Sequence, residues 1–136
     1  MWEGLDAVDW AALKHNYGSA EDVPVLLQRC AGPDPEDAGH AAFELLNHLF
    51  HQGGWICSAV PATLPFLVRL AARPDVLVPS RRVVLELVSR LAAEAGQAAD
   101  RFLDPGWQLA WEQALPNVLA LLTDPVPEIR RDAQVT

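Results

Sequence analysis

The chain has 136 residues, 51% of them hydrophobic and 21% charged, a balance that suits one globular domain and excludes a disordered chain. Eighteen Asp and Glu against ten Lys and Arg leave a net charge of −8. That argues against non-specific binding to nucleic acid or anionic membrane, since both require a cationic field. No apolar run reaches the ~18 residues of a membrane span. The acidic opening Trp2-Glu3-Gly4-Leu5-Asp6 is unlike a signal peptide. Cys30 and Cys57 are too few for a disulfide framework, so the expected setting is the cytoplasm, with free thiols.

Charge is unevenly divided. Residues 1–60 hold nine acids and two bases, Lys14 and Arg29, whereas residues 61–136 hold nine acids and eight arginines. In chain order, the segment from Asp9 to His15 reads as a short helix capped by Asp9 and ended by Gly18. Its apolar neighbours Leu5, Trp10, Leu13 and Tyr17 are suited to covering the open end of a helical stack. Asp22-Val23-Pro24 signals a helix start, as do Thr63-Leu64-Pro65 and, more weakly, Ala114-Leu115-Pro116, which alternatively marks a kink in a helix begun near Trp107. Ala42, Leu45, Leu46 and Leu49 recur at helical spacing, as do Val83, Val84, Leu87, Val88, Leu91, Ala92 and Ala95. Hairpin signals and sustained alternation are lacking, so the chain reads as all-α.

The punctuation repeats. Nine residues beyond Pro24, Pro65 and Pro116 stand Pro33, Pro74 and Pro125, each with an Asp beside it: Asp34, Asp75 and Asp124. Each proline pair brackets an apolar segment, and a second helix follows, from Pro35 to about His51, from Pro79 to about Ala95, and from Pro127 onward. Phe43-Glu44-Leu45-Leu46 matches Leu85-Glu86-Leu87-Val88 at an offset of 42 residues. These are internal repeats of helix, Asp/Pro turn and helix.

On these residues the sequence resembles the HEAT-repeat family of α-solenoids. The likeness rests on Leu119-x-x-Leu122-x-Asp124-Pro125-x-Pro127-Glu128-x-Arg130-x-x-Ala133, and more loosely on Leu27-x-x-Cys30 with Pro33-Asp34-Pro35-Glu36 and Ala41. It covers residues 20–136 and is similar to the HEAT-type proteins common in actinobacteria. The resemblance implies a short α-solenoid of two complete helix pairs and part of a third: a capping segment at 1–18, units at 19–54, 58–96 and 107–136, and an insert at 97–106. The middle unit departs from the pattern, with Arg73-Pro74-Asp75-Val76-Leu77-Val78-Pro79 in place of the Asp-Pro-x-Pro-Glu turn.

The most pointed polar feature is a stripe of His40, Glu44, Asn47, His48 and His51 on one face of the first unit's second helix. At the same offset Arg82, Glu86, Ser89 and Arg90 continue it on the next unit. Stacked helices place such stripes side by side on what is commonly a solenoid's binding face. His40, Glu44, His48, Arg82, Glu86 and Arg90 are therefore the candidate contacts for a protein partner, joined by Trp55 as an exposed aromatic anchor beside Gly53-Gly54. Trp10, Trp107 and Trp111 read instead as plugs for irregular parts of the stack.

The competing reading is a small-molecule, metal or catalytic pocket built from His48, His51, Trp55 and Cys57, with Glu44, His48 and His51 as the imidazole and carboxylate set. No phosphate-binding glycine loop, nucleophile elbow or Cys-x-x-Cys is present, so the expectation is a binding protein without enzymatic activity, resident metal or cofactor. Arg69, Arg73, Arg81, Arg82 and Arg90 are local bases, but the net charge disfavours nucleic acid. The third unit's second helix is short. Residues from about Glu128 are accordingly expected to fray unless another chain orders them, and the apolar residues between Trp107 and Leu122 to remain partly exposed and promote dimerisation through this end.

Overall fold

The computed structural model describes residues 2–136, and among them the chain is all-α. Six α-helices occur: α1 (Val23–Cys30), α2 (Pro35–Leu49), α3 (Ala59–Ala72), α4 (Val78–Gln97), α5 (Trp107–Ala120) and α6 (Pro127–Gln134). α1 packs on α2 and α3 on α4, while α3 also touches α1 and α5, and α4 also touches α2 and α6. The first helices thus form one row and the second helices another, with α3 and α4 at the centre. Leu45, Leu49, Leu64, Leu67, Leu70, Leu85, Leu87 and Leu91 fill the space between the rows and are almost fully buried. No helix of the described residues is long and apolar enough to cross a membrane.

Proline places most helix starts. Pro24, Pro35, Pro79 and Pro127 each lie in a first turn, where a missing N–H leaves no bond unmade. Asp34 caps α2 by accepting the Glu36 N–H at 3.1 Å, and Glu36 and Asp37 favour that helix end through its dipole. Arg29 of α1 donates to Asp37 at 2.8 and 3.1 Å, closing the first helix pair across its turn.

Three expectations need correction. The segment from Asp9 to His15 is not a helix. A single 3-10 turn at Trp10–Ala12 leads into a two-residue antiparallel ladder of β1 (Lys14–His15) and β2 (Gly18–Ser19). Asp9 makes no capping bond, and Gly18, at φ 129°, turns the chain back where a side chain would be strained. Thr63 does not open α3, which starts four residues earlier at Ala59. Pro61 occupies the first turn, the Thr63 hydroxyl donates back to the Ala59 carbonyl at 2.7 Å, and Pro65 lies inside the helix. The Ala114-Leu115-Pro116 signal likewise falls inside α5, in line with the alternative of a helix begun at Trp107.

The third correction concerns the C-terminal end. α6 is a formed helix on the flank of α4. Eight residues are too few to hold a helix alone, but Ile129 and Ala133 are buried, and burying an isoleucine contributes roughly 1.5–3 kcal/mol. Arg82 of α4 donates to Asp132 at 2.9 and 3.3 Å, and the Ser89 hydroxyl donates to the Val135 carbonyl at 3.2 Å. Of the apolar residues between Trp107 and Leu122, Leu115, Leu119 and Leu122 remain exposed, but Val118 and Leu121 are buried, so the open face is narrower than expected.

The tie between the second and third helix pairs is Arg81, which is 2% exposed. Its Nε donates to the Ala71 carbonyl at 2.8 Å and its Nη2 to Asp124 Oδ2 at 2.5 Å. The other Asp124 oxygen accepts the Val126 N–H at 2.9 Å, and Arg130 donates to the Asp124 carbonyl at 2.7 Å. Removing one partner of a buried pair strands the other charge, at a cost of about 3–5 kcal/mol. Arg81→Met is therefore expected to lower the urea unfolding free energy by about that amount, with partial recovery when Asp124→Asn is added. A loss below about 1 kcal/mol for Arg81→Met would show that the pair does not hold the units together.

Candidate functional site

The second helices present the sequence-predicted polar face. His40 and Glu44 of α2 are exposed. Arg82, Glu86 and Arg90 stand at successive turns of α4 with side chains 47%, 53% and 44% exposed. Glu86 accepts from Arg90 at 2.9 Å. The Arg90 guanidinium also lies over the Phe50 ring, 5.5 Å from its centroid, and so joins the end of α2 to α4. Asp132 holds Arg82 charged, raising its pKa through the hydrogen bond and then through charge attraction. Between α4 and α6 lies an open groove of about 520 Å³, lined by Pro79, Arg82, Val83, Glu86, Ser89, Asp132 and Val135. Its lining mixes apolar Pro79, Val83 and Val135 with charges of both signs, and Arg82 of α4 bonds to Asp132 of α6 across it.

His48 leaves this face. Its ring turns toward the N-terminal segment, where its Nε2 lies 3.3 Å from Asp22 Oδ2 and its side chain is 18% exposed. Asp22 does not cap α1 as its position suggests. Its Oδ1 sits 2.9 Å from Nε2 of the buried His15. The two imidazoles meet edge to face with centroids 4.5 Å apart, and Tyr17 covers His48 at 5.2 Å. Asn16 completes the clasp. Its backbone N–H donates to the His48 carbonyl at 2.8 Å, and its Nδ2 donates to the carbonyls of Asn47 and Phe50 at 2.9 and 2.7 Å, satisfying the C-terminal end of α2.

Of the competing pocket, Trp55 meets His51 and shares a shallow surface with Cys57, while His48 turns away to Asp22. His51 packs edge to face on Trp55 at 5.2 Å, while its Nδ1 accepts the Gly53 N–H at 3.0 Å. Cys57 is buried in the core and His48 faces Asp22. Glu44 offers His48 its backbone carbonyl, at 2.6 Å from Nδ1. Among the described residues, the one group of three His, Cys, Asp or Glu able to share an ion is His15, Asp22 and His48, of which the sequence pattern indicated only His48. His15 lies 33 residues before His48, so no helical spacing could link them.

Trp55 is 41% exposed and stands beside the insert, in a shallow surface with Lys14, Arg101 and Phe102. The insert contains a 3-10 turn at Asp100–Phe102 and pairs with the linker before α3: Ile56 donates to the Phe102 carbonyl at 2.8 Å, and Asp104 donates to the Ile56 carbonyl at 3.1 Å. Trp10 and Trp107 are buried, and Trp107 stacks on Trp111 with centroids 5.6 Å apart.

Both cysteines are buried. Burial pushes the Cys30 thiol up to about 12 and the Cys57 thiol up as well, so neither forms much thiolate near neutral pH. Iodoacetamide should label both only as fast as the chain opens; rapid native labelling of Cys30 would contradict its burial. No family model matches the chain, and neither a curated protein nor a solved structure is significantly similar to it.

Proposed function

We propose that this chain is a short α-solenoid of HEAT-like helix pairs acting as a non-enzymatic, cytoplasmic protein-binding module, with its partner seated on the polar face of the second helices. The groove between α4 and α6 carries this reading. Pro79, Val83 and Val135 offer an apolar strip to a partner side chain, while Arg82, Glu86 and Asp132 border it with charge of both signs. An apolar centre with a charged rim is the usual anatomy of a protein contact. The occupant that fits is a peptide segment with an apolar residue flanked by an acid and a base. His40, Glu44 and Arg90 extend the surface over α2, with Trp55 as an outlying anchor.

The test pairs capture with charge reversal. A photo-crosslinker at Val83 should trap a partner in cells, and the double variant Arg82→Glu, Glu86→Arg should weaken that partner's binding about tenfold or more. An unchanged Kd would place the interface elsewhere.

A second surface serves self-association. Leu115 and Leu119 of α5 and Leu122 in the 3-10 turn that follows it are 36%, 55% and 39% exposed. Light scattering should show concentration-dependent dimers that Leu119→Glu abolishes; a strict monomer at the highest concentrations would remove this contact.

A further inference from the structure

We propose that His15, Asp22 and His48 form a binding site for a divalent transition metal of the zinc type, clasping the N-terminal segment onto the end of α2. The donors come from three separate elements: β1, the 3-10 turn before α1, and the last turn of α2. Their ligand atoms all lie within 4.8 Å of one another. Two imidazoles and a carboxylate are a set that zinc, cobalt and nickel accept. The His15 and His48 side chains are 4% and 18% exposed, whereas Asp22 is 49% exposed. An ion therefore enters from the Asp22 side and keeps water in its remaining position.

Hydrogen bonding orients His48 as a ligand. Its Nδ1 lies 2.6 Å from the Glu44 carbonyl, which can only accept, so Nδ1 carries the proton. In the neutral ring, Nε2 then points a lone pair at Asp22 Oδ2, 3.3 Å away. Two lone pairs face each other, and a cation between them removes the repulsion. A backbone carbonyl holding the far nitrogen is also what fixes the tautomer of metal-bound histidines.

His15 sets a cost. Its Nδ1 accepts the Tyr17 N–H at 3.0 Å, so its own proton sits on Nε2 and is donated to Asp22. Coordination through Nε2 moves that proton to Nδ1 and releases the Tyr17 amide. The tight turn with Gly18 at φ 129° is where the backbone adjusts. The lost bond and the three-ligand set make binding weaker than at a closed four-ligand site. The site is separate from the groove between α4 and α6 and stands without it.

Zinc(II) titrated into chelator-stripped protein at neutral pH should bind one ion per chain, raise the thermal midpoint and shift the Tyr17 amide resonance. His48→Gln and Asp22→Asn should each weaken binding about 100-fold, while His40→Gln and His51→Gln leave it unchanged. If His48→Gln does not fold, Asp22→Asn at the exposed rim decides alone. Absence of binding at millimolar zinc, or binding that Asp22→Asn leaves intact, overturns the proposal.

Discussion

A guanidinium withdrawn from water must be matched group by group, and Arg81 imposes that constraint on half of this molecule. The desolvation of such a charge costs several kcal/mol unless its donors are met. Here the Ala71 carbonyl meets one and the Asp124 carboxylate another, so the end of α3, the start of α4 and the turn before α6 converge on one side chain. Asp124 is then doubly engaged, because it also holds the Val126 N–H while its own carbonyl accepts from Arg130. Fixing this turn sets the direction in which α6 leaves, and thereby puts Ile129 into the core and Asp132 beside Arg82. The groove proposed as the binding surface has α6 as one wall, so it depends on this turn as well as on the bonds from Arg82 and Ser89.

The opposite end is closed by a different device. Among the described residues, the chain before α1 contains no full helix, yet it covers the stack. Trp10 packs against Phe66 of α3 with ring centroids 6.2 Å apart, and its indole N–H donates to the Leu5 carbonyl at 2.9 Å. Asn16 satisfies the carbonyls at the end of α2, and Lys14 N–H donates to Ser58 Oγ at 2.9 Å at the entry to α3. Buried Leu5 and Trp10 together with polar capping bonds, rather than a docked amphipathic helix, attach this segment. The same attachment draws His48 off the second-helix face and into contact with His15 and Asp22.

Elements are legible in the sequence where the physics that forms them is local. The spacing of Ala42, Leu45 and Leu49 announces α2, and a proline in a first turn is legible as a start at Pro35, Pro79 and Pro127. Thr63-Leu64-Pro65 misled because Thr63 bonds back to Ala59 within the helix and Pro61 is the proline of the first turn. What escaped was long-range. An arginine reads as a surface residue, and nothing around Arg81 reveals that Asp124, 43 positions away, will bury it. Asp22 has the position of a helix cap but spends its carboxylate on two histidines. α6 looked too short to form because its support comes from Arg82 and Ser89, side chains on another helix. Of the polar face, His40, Glu44, Arg82, Glu86 and Arg90 were legible from the repeat offset; the diversion of His48 was not.

Whether the third unit belongs to one cooperative structure is the central physical claim, and native-state hydrogen exchange addresses it directly. If the Arg81 tie operates as described, amides of residues 129–133 are protected like those of α4 and lose protection together with them as denaturant is raised. Exchange of those α6 amides at the rate of an unstructured peptide, with α3 and α4 still protected, would contradict the account and remove the groove with it.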